Sequence, residues 1–172
     1  MNNKIKHKIS ASNQSGVKLK STFISLLKQA ITVTLRYEKV DYPCAINILI
    51  SNNAVIRDLN KRFSDIDKIT DVLSFQMQEF EYPGWSGLIN KEFDIEAGNI
   101  PLGDIVISLP KVTRQANAIG VTIEQESTLL MIHSCLHLLG YDHDNDDSAK
   151  LMREIETYLM RNMGYLDYRT IK

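Results

Sequence analysis

The sequence predicts a single compact α/β (α+β) domain, a small mixed β-sheet packed by helices and carrying a metal-bearing cleft. Three observations carry the prediction. Apolar residues recur at helical intervals in several segments, short runs rich in isoleucine and valine lie between them, and three histidines crowd into residues 133–143. The 172 residues suit one core, and no repeat or linker divides residues 1–172.

The elements follow in chain order. From Lys18 to Arg36, the apolar residues Leu19, Phe23, Leu26, Leu27, Ala30, Ile31 and Leu35 fall at helical spacing, with lysines between them. Pro43 turns the chain into AINILIS (45–51), a β-branched run that fits a strand. Residues 52–63 place Val55, Ile56, Leu59 and Phe63 on a short helical face, with Asn52 or Asn53 as its cap. SDIDKIT then turns, and VLSF (72–75) and DIVIS (104–108) read as two further buried strands. Between them, 76–101 holds Pro83, Gly84, Gly87, Gly98 and Pro101, and is expected as a loop or hairpin inserted within the domain. After Leu109-Pro110 a helix should end near Gly120. The next begins at Thr122, where Gln125 can complete a capping box, and carries Leu129, Leu130, Ile132 and Leu136. Gly140 can close it, and Asn145-Asp146-Asp147 can open a last helix that turns Leu151, Met152, Ile155, Leu159 and Met163 to the core.

Net charge is −1, so no positive field over the whole chain announces a polyanionic partner. The average conceals an asymmetry: residues 1–40 hold eight Lys or Arg against the single acid Glu38. That segment can steer a polyanion or can simply be a solvated face. Cys44 and Cys135 form no CxxC pair, which fits a reducing compartment. The first residues lack the apolar core of a signal peptide, and no apolar stretch approaches the roughly 18 residues of a membrane span. A soluble cytoplasmic protein is expected.

The chemistry concentrates in HSCLHLLGYDH (133–143). His133 and His137 stand four residues apart on one helix face, and a bend at Gly140 lets His143 join them. Three imidazoles suit one Zn²⁺ and leave a fourth position for water or substrate. Zinc polarises what it binds there, which points to metal-assisted hydrolysis. The spacing also fits helical zinc peptidases, whose motif has a glutamate after the first ligand. Ser134 stands there instead, and a hydroxyl is a poor general base at neutral pH. Cys135 lies midway between the ligands on the opposite helix face, and Met152, Met160 and Met163 follow core spacing.

With TDVLSF at 70–75, LGDIVIS at 102–108, LN at 59–60 and Asp67, the histidine motif makes the chain closely resemble the YbeY family of bacterial rRNA-maturation endoribonucleases. The resemblance runs in order across most of 45–163. It implies a zinc-dependent endoribonuclease specific for single strands, acting in 16S rRNA 3′-end maturation and ribosome quality control. Single-stranded RNA, precursor 16S rRNA and the small ribosomal subunit are its implied partners, and His133, His137 and His143 its implied metal ligands. A zinc peptidase and a non-catalytic, ribosome-associated RNA-binding protein are the alternatives.

Two departures from the family pattern stand out. Ser134 replaces a glycine, and Ser64 follows Phe63 where the family carries a phosphate-facing arginine. Arg62 or Lys61 can supply the missing charge from a neighbouring turn. Asp142 and Asp144 flank His143 and can orient an imidazole or take a proton through water, or can serve a turn and a helix N-terminus. Asp71 and Asp104 mark the starts of two strands whose ends could face the cleft, or they cap turns, and Thr70 and Ser74 share that ambiguity.

Overall fold

A computed structural model describes residues 5–89, 94 and 96–166. Strand β1 (Lys8–Asn13) leads into helix α1 (Ser21–Tyr37), then β2 (Cys44–Ser51) and α2 (Asn53–Ser64). Edge strand β3 (Val72–Gln76) precedes a hairpin of β4 (Glu79–Phe80) and β5 (Leu88–Ile89), joined across one 3₁₀ turn. Strand β6 (Ile100–Ser108) is followed by α3 (Leu109–Ile119), α4 (Ile123–Leu138) and α5 (Asp146–Asn162). The main sheet has the order β1-β2-β6-β3, with the first three strands parallel and β3 antiparallel.

The two sheet faces differ in what they bury. Ile46, Ile48 and Ile50 of β2 and Ile105 and Ile107 of β6 are buried beneath α1 and α4. Directly opposed residues of an antiparallel pair share a face. The pairs Val72–Ile107 and Ser74–Ile105 therefore lie on the α4 side, and Leu73–Val106 and Phe75–Asp104 on the other. Helix α4 runs through the middle of the helical layer, touching α1, α3, α5 and β3, and is buried on nearly every side. Gly103 lets it approach: a Cβ there would stand 2.8 Å from Leu138 Cδ2 and 2.1 Å from the carbonyl oxygen of Phe75, and its φ is +145°.

Helix starts follow the side chains that can cap them. Asn52 accepts from the N–H groups of Ala54 and Val55, and Asn145 forms a reciprocal capping box with Ser148. Thr122 caps Gln125 N at 3.1 Å, but the Gln125 side chain donates instead to the Leu166 carbonyl, so that box is half made.

Other expectations shift as well. VLSF is only half-buried, because β3 is the sheet edge, and the central strand starts at Ile100, not at Asp104. Leu151 is exposed, and Met160 takes a core position on α5 beside Met152, Ile155 and Leu159. Strand β1 has no counterpart in the sequence reading, since KISASN buries only Ile9 and Ala11, and those partly. Within 76–101 the described part forms the β4–β5 hairpin and an Asp94–Asn99 bridge, while residues 90–93 and 95 lie outside the described residues.

Candidate metal centre

His133 and His137 project from the last two turns of α4, one turn apart, so their rings share a face. The helix ends at Leu138. Gly140, at φ +83°, reverses the chain close against Phe80, where a Cβ would meet that side chain's Cβ at 2.7 Å and its ring at 2.8 Å. Three residues later His143 arrives beside the other two. Its ring centroid lies 5.8 Å from that of His133 and 5.2 Å from that of His137, and one nitrogen from each ring falls within 4.8 Å of the others.

Hydrogen bonds set which nitrogens face inward. His133 Nδ1 lies 2.6 Å from the Glu156 carboxylate on α5, and His137 Nδ1 lies 2.8 Å from the Tyr141 carbonyl oxygen. Both partners only accept, so both Nδ1 atoms carry the hydrogen and donate it. A ring that carries its hydrogen on Nδ1 alone presents a bare Nε2 lone pair, and the two Nε2 atoms stand 3.1 Å apart. Two bare acceptors at that distance repel unless a shared proton or a metal ion holds them together. Two nitrogens on one tetrahedral Zn²⁺, each at about 2.0–2.1 Å, sit roughly 3.3 Å apart. The donor set therefore fits a single Zn²⁺. Burial, with the neighbouring His133 adding to it, holds His137 below the ordinary histidine pKa, so its lone pair stays available.

Glu156 is the functional residue that sequence reading missed. It lies on the buried stripe of α5 with Met152, Ile155, Leu159 and Met160, and its signal is a carboxylate on an otherwise apolar face. Tyr141 is the second. Its hydroxyl donates to Glu38 Oε1 at 2.8 Å while its carbonyl holds His137, so the end of α1 steadies a histidine of the centre. Burial and the Glu38 carboxylate push the phenol pKa up, keeping it a donor. Glu38 Oε2 also accepts from Trp85 N, and Trp85 Nε1 donates to Asp41, which pins the hairpin against the same corner.

The remaining candidates are placed as follows. Asp142 accepts from the backbone N–H of His143 at 2.6 Å, and Asp144 is exposed, with no side-chain hydrogen bond among the described residues. Arg62 is exposed and pairs with Asp58 at 3.4 Å, while Arg57 and Lys61 both reach Asp67. Phe63, beside Arg62, packs on Phe75, which puts this end of α2 on the sheet face opposite α4. Asp104 is on that opposite face too, accepting from Asn47 Nδ2 at 2.8 Å, so it does not turn toward the histidines. Asp71 ties Thr70, the backbone N–H of Val72 and Gln115 together at the start of β3. Ser74 shares the α4 side of the sheet. Cys135 is fully buried as a free thiol whose pKa burial drives up, and Ser134 is likewise buried among core residues.

Three comparisons bear on this arrangement. A family model described as Endoribonuclease YbeY matches residues 8–164. The chain is 37% identical over 155 residues to an endoribonuclease YbeY of Clostridium kluyveri, covering 86% of this chain and 93% of that one. It is also 37% identical over 151 residues to an endoribonuclease YbeY of Caldicellulosiruptor bescii, covering 88% and 93%. In fold it is similar to the solution structure of TM1509 from Thermotoga maritima, with TM-score 0.57 and 24% identity over 90% of this chain and 87% of that one.

Proposed function

Since the chain belongs to the endoribonuclease YbeY family, we propose that it cleaves single-stranded RNA at the His133, His137 and His143 centre with one zinc ion. The observation that carries this reading is the convergence of one nitrogen from each of three imidazoles within 4.8 Å, with the His133 and His137 Nε2 atoms 3.1 Å apart and each Nδ1 held by an acceptor. We read residues 1–172 as one RNA-processing domain with 76–101 inserted in it. Its work is 16S rRNA 3′-end maturation and ribosome quality control, on precursor 16S rRNA and the small ribosomal subunit. Among the described residues no helix is long and apolar enough to cross a membrane, and we place the protein in the cytoplasm.

When bound, zinc supplies a Lewis acid that polarises water or a phosphodiester oxygen. The chain's own residues do the rest. Glu156 and the Tyr141 carbonyl lock two imidazoles in the tautomer that ligates. Asp144 is the freer proton acceptor beside His143, because Asp142 is engaged by the His143 N–H. Arg62, at the end of α2 on the other sheet face, is our candidate phosphate contact for RNA away from the histidines: its exposed pair with Asp58, one turn away, is worth only about 0.3–0.5 kcal/mol, so a phosphate can recruit it. The peptidase alternative loses ground because Ser134 is buried in the core and offers no base to the centre.

The test compares wild type with His133→Ala on an unstructured RNA, precursor 16S rRNA and a peptide library, with zinc content measured in parallel. Zinc-dependent RNA products that vanish with His133 are expected. Peptide products, or RNA binding without any cleavage, would overturn the reading. Arg62→Ala should retain zinc and lower RNA turnover or affinity, and unchanged cleavage kinetics would remove Arg62 from RNA contact.

A further inference from the structure

Two of the eight basic residues of the N-terminal segment, Lys18 and Lys20, line a cleft away from the histidines. A cleft of about 760 Å³ opens where α1, α3 and α4 begin. Its floor is apolar, built from Leu19, Phe23 and Ile123, and its rim carries Lys18, Lys20 and Arg114. These three cations are exposed and make no ion pair among the described residues, and the one acid lining the cleft is Glu124. No side chain caps α1 at Lys20 or α3 at Ser108, which leaves the positive ends of both helices toward the same cleft.

The strand-to-helix connection that carries the lysines is held in shape. Asn13 Oδ1 accepts from the Ser15 N–H and hydroxyl, Asn13 Nδ2 donates to the Val17 carbonyl at 2.7 Å, and the Val17 N–H donates to Ser15 Oγ. An exposed segment ordered in advance loses less entropy when a ligand arrives.

We propose that this cleft is a second RNA-binding site, holding the phosphates of a single strand on Lys18, Lys20 and Arg114 with a base against the apolar floor. The choice of occupant rests on charge complementarity and on the reading of the chain as a ribonuclease. From Glu124 to His133 is nine residues along α4, about 14 Å at helical rise. The cleft therefore engages RNA at a distance from the bond that breaks. It raises affinity for long substrates and leaves the chemical step alone.

The experiment uses the zinc-loaded full chain with Lys18→Ala, Lys20→Ala and Arg114→Ala combined. The comparator combines Lys150→Ala, Arg153→Ala and Arg161→Ala on α5, which removes equal charge elsewhere. Binding is read with a long single-stranded DNA, whose backbone carries the same phosphates, and cleavage with a long and a short RNA. The cleft variant should bind roughly tenfold more weakly, and the slope of log K against log salt should fall by about 2. Its KM should rise for the long RNA only, with kcat unchanged. Unchanged affinity overturns the site, even if binding to the small subunit is lost, which would reassign the cleft to a protein. An equal loss in the comparator also overturns it, as a general field would then explain the attraction. The ribonuclease reading fails separately, if the wild type cuts no RNA.

Discussion

His133 and Glu156 show how one contact decides a residue's chemistry. A histidine at this spacing has two nitrogens to offer, and only the 2.6 Å bond from Nδ1 to Glu156 makes Nε2 the inward one. Glu156→Gln keeps an acceptor but removes the charge that raises the basicity of the ring. Zinc affinity, measured by competition with a chromophoric chelator, should fall about 10–100-fold with the fold retained. Unchanged affinity would reduce Glu156 to packing. The three-histidine cluster was legible in the sequence because helical periodicity and a glycine bend bring these residues together locally. Glu156 was not, since it lies on another helix and only the packing of α5 against α4 delivers it. Asp104 illustrates the reverse: its strand was legible, but the sheet face it occupies follows from register, and register turns it away from the histidines.

At the scale of elements, the metal centre depends on how closely the end of α4 sits against the sheet. Gly103 permits that approach. Gly103→Ala must displace both the Phe75 carbonyl and Leu138, and should cost about 1–3 kcal/mol in urea unfolding. The turn after α4 is held from the other side by Tyr141 and Glu38. Tyr141→Phe deletes that bond and should cost about 1–2 kcal/mol, with weaker zinc retention in the same chelator competition. Helix starts and ends were readable because Asn52, Thr122, Asn145 and Gly120 act on their nearest backbone neighbours. Strand β1 was unreadable for the opposite reason. A strand whose one β-branched residue is Ile9, among Lys, Ser, Ala and Asn, has little preference of its own and exists because the edge of β2 pairs with it.

For the whole molecule, the centre joins α4, the turn beyond it and, through Glu156, α5, so a ligand held there ties separate parts of the fold together. At a free zinc concentration a thousandfold above Kd, binding adds about 4 kcal/mol to stability, which in a chain of this size raises Tm by roughly 8–16 °C. Scanning calorimetry before and after EDTA treatment checks it, and an unchanged Tm would mean that the histidines hold no ion. Local pattern in the sequence determined five helices, the central strands and three clustered histidines on one helix–turn unit, because periodicity, caps and i,i+4 spacing act over a few residues. Only the tertiary structure decided which imidazole nitrogen faces inward, which face Asp104 takes, and that Lys18, Lys20 and Arg114 share one cleft. Those depend on contacts between residues far apart in the chain, and it is packing, not spacing, that brings such residues together.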